Sequence, residues 1–140
     1  MKVLIVEDEA TSARLVEALI KQVGGAHEIA RDGETAYEKF CEAFESGDRY
    51  DLICLDLHLP EADGVEFLNG LRQYEESQGI VASEGVKVVV ISGDKETRTV
   101  FDAMTAGCTS YLVKPLDRHK FFEELTRLGL ITPENFQPTS

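Results

Sequence analysis

Hydrophobic and polar positions alternate along the chain between two rhythms. Lys2–Val6 is a short apolar run that stops at the acidic Glu7-Asp8-Glu9. From Glu9 to Val23, the residues Val16, Leu19, Ile20 and Val23 recur at helical spacing, which predicts a first helix closed by Gly24-Gly25. His27–Ala30 reads as a second strand. Asp32-Gly33 marks a turn, and Ala36, Phe40, Ala43 and Phe44 mark one face of a second helix that breaks at Ser46-Gly47-Asp48. Asp51–Leu57 reads as a third strand, apolar inside except for its last-but-one residue, Asp56. Pro60 and Gly64 bracket a loop, after which Leu68, Leu71 and Tyr74 face one way on a third helix. Gln78–Gly85 is a polar connection. Val86–Ser92 shows almost no alternation, as expected of a strand covered on both faces. Lys95–Ala106 is a fourth helix ended by Gly107, and Ser110–Lys114 a fifth strand. Asp117–Leu128 is a fifth helix with Phe121, Leu125 and Leu128 inward, and Pro133–Ser140 reads as a polar tail, expected to be mobile.

Five strand–helix units in succession predict an α/β fold, a parallel sheet with helices on both faces. The length of 140 residues suits one domain. The expected division is a domain over residues 1–130 and a short tail over 131–140, with no output domain. The formal net charge of −12 argues against direct nucleic-acid binding, which needs Lys and Arg against phosphate. No apolar run approaches the ~20 residues that span a bilayer, so membrane insertion is not expected. No signal peptide is evident, which points to a cytoplasmic location. Cys41, Cys54 and Cys108 form no Cys-x-x-Cys pair and read as reduced thiols. His27, His58 and His119 are dispersed and make no zinc spacing.

Candidate chemistry gathers at the strand ends. In open α/β sheets, function collects outside the carboxyl ends of the strands. The first strand ends in Glu7-Asp8, the third at Asp56, the fourth at Ser92 and the fifth at Lys114-Pro115. Clustered carboxylates repel one another and are costly to desolvate. A divalent cation relieves both problems, and a small oxygen-only site with several waters suits Mg²⁺. Asp56 can then act as a carboxylate nucleophile that forms an acyl phosphate. Lys114 offers a second positive charge and Ser92 a hydrogen bond to a phosphoryl oxygen. Taken singly, Glu7-Asp8 and Ser92 could be helix caps and Lys114-Pro115 a loop. Asp56 is different, because a charge inside an apolar strand is costly unless paired or metal-bound.

These residues resemble the receiver domain of two-component response regulators. The resemblance rests on Val3-Leu4-Ile5-Val6-Glu7-Asp8-Glu9, on Asp51-Leu52-Ile53-Cys54-Leu55-Asp56-Leu57-His58-Leu59-Pro60 and on Asp63-Gly64. It also rests on Val88-Val89-Val90-Ile91-Ser92-Gly93 and Tyr111-Leu112-Val113-Lys114-Pro115. The resemblance covers about residues 1–130. It implies a flavodoxin-like, doubly wound (βα)5 fold with strand order 2-1-3-4-5. It implies Asp56 as phosphoacceptor and Glu7, Asp8, Asp56 and the backbone carbonyl of His58 as holders of Mg²⁺. It implies Ser92 as the switch hydroxyl, Lys114 as the phosphate-binding lysine, Tyr111 as the aromatic switch and a cis Lys114–Pro115 bond. The implied donor is a sensor histidine kinase or a histidine phosphotransfer protein. The implied output is a protein target met by the face of the fourth helix, fifth strand and fifth helix. The chain would be a monomer or a phosphorylation-dependent dimer. It would be a stand-alone regulator or the receiver part of a longer one.

Three features depart from the usual pattern. Glu7 stands where Asp is commoner, His58 is a less usual neighbour of the acceptor, and Gln78–Gly85 is longer than typical. His58 and Asp94 bear on the lifetime of the phosphorylated form, since these positions flank the path of the attacking water in receivers. A phosphohydrolase of the haloacid-dehalogenase class would want an Asp where His58 stands. A flavin binder would need a phosphate loop where Glu7-Asp8-Glu9 would repel phosphate. A receiver-like interaction module that takes no phosphate is the remaining alternative.

Overall fold

A computed structural model describes residues 1–60 and 63–135. The strands are β1 (Lys2–Val6), β2 (Ala26–Ala30), β3 (Leu52–Leu55), β4 (Lys87–Ser92) and β5 (Ser110–Val113). The helices are α1 (Ala10–Gln22), α2 (Gly33–Ser46), α3 (Gly64–Ser77), α4 (Thr97–Ala106) and α5 (Arg118–Arg127). Among the described residues, the strands form one parallel sheet in the order β2-β1-β3-β4-β5. The α/β class is the one the strand–helix pattern predicts, and the doubly wound form and strand order are those the resemblance implies.

The two faces of the sheet explain why its central strands lack polar alternation. Leu4, Val6, Ile53, Leu55, Val88 and Val90 join a core shared with Ala36 and Phe40 of α2, Leu68 and Leu71 of α3, and Ala103 of α4. The alternate residues Val3, Ile5, Leu52, Cys54, Val89 and Ile91 join Val16, Leu19 and Ile20 of α1 and Phe121, Phe122 and Leu125 of α5. With both pleat faces buried, every central position must be apolar. Three helices start on an Asp whose carboxylate accepts backbone N–H groups: Asp32 from Thr35, Asp63 from Val65, and Asp117 from His119 and Lys120.

Several boundaries differ from the sequence reading. The expected strand Asp51–Leu57 shortens to Leu52–Leu55. Its partner β1 ends at Val6 opposite Leu55, so Asp56 lies one step beyond the ladder, held by its N–H to the carbonyl of Val6 at 2.9 Å. The Gln78–Gly85 connection contains a 3-10 turn over Ala82–Glu84. Phe122 is fully buried beside Phe121, whereas Leu128 is only half-buried. Ile131, just past the expected domain end, is buried, and Pro133–Asn135 forms a 3-10 turn. The rest of the expected tail, residues 136–140, lies outside the described residues.

One close approach positions the third strand's end. A Cβ on Gly64 would sit 2.7 Å from the Cα of Leu57 and 3.0 Å from the carbonyl oxygen of Asp56. The absence of a side chain lets α3 begin directly against the backbone that carries Asp56. Gly64→Ala is expected to destabilise the chain by about 1–3 kcal/mol through this overpacking. Urea unfolding checks it, and an unchanged midpoint would show that the strand end yields freely.

A polar cluster pins the far end of α4. Arg72 donates to the carbonyl of Gly107 from Nε at 3.0 Å and Nη2 at 2.8 Å. Its Nη1 donates to Glu75 Oε1 at 2.7 Å, and Glu75 Oε2 accepts the N–H of Val86 at 2.8 Å. The side chain of Glu75 is 7% exposed. The pair therefore ties α3 to the C-cap of α4 and to the entry of β4.

Candidate functional site

Four strand ends bring their residues to one edge of the sheet, and three of these side chains meet. Lys114 Nζ lies 2.7 Å from Glu7 Oε1 and 3.2 Å from Asp56 Oδ2. The other oxygen of Asp56, Oδ1, accepts the backbone N–H of His58 at 3.0 Å. Both oxygens of Asp56 are thus oriented by positive or partly positive donors. The Lys114–Pro115 peptide bond is cis.

The electrostatics follow from burial. Glu7 is 5% exposed and Asp56 9%. Burial, and a hydrogen bond with Asp56 that only a protonated carboxyl can make, push Glu7 up to about 7. Burial works against the Lys114 charge, and the Glu7 and Asp56 carboxylates more than offset it, leaving Lys114 above the usual lysine range. The native state therefore holds a proton on Glu7 that the unfolded chain releases near 4.5. The stability from this group is full below about 4.5 and is lost as pH rises through about 7. Glu7→Gln keeps an acceptor for Lys114 and removes the second charge. In the absence of divalent cations it is expected to stabilise the chain by of the order of 2 kcal/mol at pH 8 and by little at pH 5. Paired urea titrations at the two pH values check this, and a pH-independent difference would contradict it.

The remaining residues singled out in the sequence stand nearby with other partners. Ser92 is fully buried, and its Oγ accepts the N–H of Asp94 at 3.1 Å. Tyr111 is half-buried and donates its hydroxyl to the carbonyl of Asp94 at 2.7 Å. Asp8 is exposed. The imidazole of His58 is 70% exposed, with Nε2 4.0 Å from Asp94 Oδ2. Hydrogen bonds from the Glu96 N–H and the Thr99 hydroxyl hold Asp94 below the usual carboxylate range.

Two participants were missed as partners in the sequence. Ser12, in the first turns of α1, places its Oγ 3.3 Å from Lys114 Nζ. Its only signal was a position shortly after the acidic run. Asp94 was noted beside the water path, but its bonds to Ser92, Tyr111 and Thr99 carry no sequence signature.

With this geometry in view, the relatives are informative. Residues 3–126 match the response regulator receiver domain family, and the chain belongs to it. The two-component response regulator ARR22 of Arabidopsis thaliana is 35% identical over 91% of this chain and 83% of its own length. A chain in the co-crystal of the Saccharomyces cerevisiae histidine phosphotransfer protein Ypd1 with the receiver domain of its downstream response regulator Ssk1 superposes with a TM-score of 0.80. It is 25% identical and covers 92% of this chain and 88% of that one. The receiver domain of sensor histidine kinase PA1611 from Pseudomonas aeruginosa gives a TM-score of 0.73 at 25% identity, over 90% and 94% of the two chains. That domain has a magnesium ion coordinated in its active-site cleft. Curated relatives differ widely in length: the chain spans 91% of one and 5% of another.

The residues of this chain fit a hard divalent cation. Among the described residues, no three His, Cys, Asp or Glu side chains are already gathered at metal-binding spacing. The donor chemistry is nevertheless right: the Glu7 and Asp56 carboxylates both meet Lys114 Nζ, Asp8 stands next in sequence, and all are oxygen donors. The Lys114 ammonium now lies against both buried carboxylates, the position where positive charge is most needed. Among the described residues, no helix is long and apolar enough to cross a membrane.

Proposed function

We propose that Asp56 accepts a phosphoryl group and that the chain acts as a phosphorylation switch rather than as an enzyme with turnover on a separate substrate. The observation that carries this reading is the Asp56 carboxylate, buried yet held between the Lys114 ammonium and the His58 N–H. One carboxylate oxygen would attack phosphorus as the phosphorus–nitrogen bond of a phosphohistidine breaks and the imidazole leaves with the electron pair. Lys114 orients Asp56 beforehand and afterwards faces the added phosphoryl oxygens. Glu7, Asp8, Asp56 and the carbonyl of His58 would hold Mg²⁺, which when bound neutralises charge on the transferring group.

The donor would be a sensor histidine kinase or a histidine phosphotransfer protein. A cleft of about 310 Å³ beside Lys114 is bordered by Ser12, Leu15, Pro115 and Leu116. Leu15 is 44% exposed there. The output would run through the α4–β5–α5 face, where Phe101, Met104 and Val113 are exposed. Ser92 and Tyr111 are the switch residues, since both are tied to the loop that leads into α4. A phosphoryl group biases that loop only through contacts that differ between the two states, and the Ser92 hydroxyl and Lys114 ammonium supply them.

The test is intact-mass analysis after incubation with acetyl phosphate. One added phosphoryl group is expected with Mg²⁺ and none in excess chelator. The adduct should be cleaved by hydroxylamine, as an acyl phosphate is. No uptake, or a hydroxylamine-resistant adduct, would overturn the assignment.

A further inference from the structure

We propose that Asp94 is the positioning residue that couples the acceptor site to helix α4, through a latch completed by Thr99. The inference rests on the acceptor reading above and names the residue that would transmit its state.

Asp94 is the common partner of groups from four elements. Its N–H donates to Ser92 Oγ at 3.1 Å, at the end of β4. Its carbonyl accepts the Tyr111 hydroxyl at 2.7 Å, from β5. Its carboxylate Oδ1 accepts the N–H of Glu96 at 2.9 Å, closing a local turn. Its Oδ2 accepts the Thr99 hydroxyl at 2.9 Å, in the first turn of α4, and lies 4.0 Å from His58 Nε2 beyond β3. A movement of the Ser92 hydroxyl toward a phosphoryl group would withdraw the acceptor of the Asp94 N–H and so free the backbone of Asp94 to shift. That shift reaches Tyr111 through the carbonyl and α4 through the carboxylate.

The anchoring of α4 favours motion at this end. Its N-cap residue, Glu96, makes no side-chain cap bond. Its buried residues, Ala103 and Ala106, both lie in its second half. Its C-cap, Gly107, is clamped by two N–H groups of Arg72. The first turn is tied through Asp94 and Thr99, while the last turn is fixed to α3. Helix α4 is thus built to pivot about Gly107 when the Asp94 loop moves.

The structure also says which atom to remove. Thr99→Val deletes the hydroxyl, keeps the shape and lies outside the acceptor pocket. Thr99→Ser restores the hydroxyl. The readout is amide hydrogen exchange in residues 97–100, with and without beryllofluoride and Mg²⁺, while beryllofluoride binding is followed separately by fluorine NMR. In the wild-type chain, beryllofluoride is expected to change exchange in the first turn of α4 by about tenfold, and in the last turn by less than about twofold. Thr99→Val should bind beryllofluoride as the wild type does but lose the first-turn response, and Thr99→Ser should regain it. Asp94→Ala should lose the response as well. A full first-turn response in Thr99→Val would overturn the latch. Failure of the wild type to bind beryllofluoride would instead overturn the acceptor reading, and the coupling with it.

Discussion

Asp56→Asn is expected to abolish phosphoryl uptake, by at least about a hundredfold, without unfolding the chain. An amide is not a nucleophile at neutral pH, so no acyl phosphate can form. The same substitution leaves an oxygen to accept from His58 N–H and removes one of the two carboxylates that meet at Lys114. It should therefore cost no stability without Mg²⁺, and stability measured alongside separates lost chemistry from lost fold. Lys114→Ala makes a useful comparison. It leaves the nucleophile in place but removes the one ammonium against both Glu7 and Asp56. Uptake should fall by about a hundredfold, the usual consequence of losing a preorganised charge at the reacting group. It should also destabilise the chain, because the buried Asp56 charge would lose its ammonium. Intact-mass time courses with acetyl phosphate and Mg²⁺ check both. Equal uptake by Asp56→Asn and wild type would remove Asp56 from the mechanism.

The largest effect on stability is expected at Arg72. Arg72→Ala strips two donors from the carbonyl of Gly107 and leaves the buried Glu75 carboxylate without its guanidinium. Breaking a buried pair from one side costs about 3 kcal/mol or more, chiefly because the other charge stays buried. For a domain of this size that lowers the melting temperature by about 10 °C. Glu75→Gln should cost less, since the amide oxygen can still accept the Val86 N–H. Thermal unfolding of the two variants checks the order. A near-neutral Arg72→Ala would mean that α4 is not anchored at its C-terminal end.

The legible and illegible parts of this molecule differ for physical reasons. The central strands were readable because both pleat faces are buried, which leaves runs such as Val88-Val89-Val90-Ile91 with no polar member. Asp56 was readable because a charge beside such a run is conspicuous. Glu7 and Lys114 were readable as strand-end residues, and their contact follows from the parallel order of β1, β3, β4 and β5. Arg72 and Glu75 were not. An Arg and a Glu three apart on a helix look like an ordinary solvated pair, and only the approach of Gly107 and Val86 buries them. Asp94 gave little more, since a polar residue in a loop after a strand has many uses. Its importance comes from backbone atoms of other elements, which leave no pattern. Phe122 was missed because adjacent aromatic residues cannot both satisfy a single helical stripe. Helix α5 buries both, with Arg118 stacked over the Phe122 ring. The end of β3 was drawn two residues long because Leu57 is apolar and buried although it is no longer paired.

The central claim is that the phosphoryl group resides on Asp56. Its most direct test is to phosphorylate the chain with acetyl phosphate and Mg²⁺, reduce the acyl phosphate with borohydride, and locate the reduced side chain by peptide mass spectrometry. The account predicts a single modified position, residue 56, in the peptide that carries Leu55 and Leu57. Modification at another carboxylate, or a stable phosphate on His58 or Ser92 with Asp56 unchanged, would contradict it.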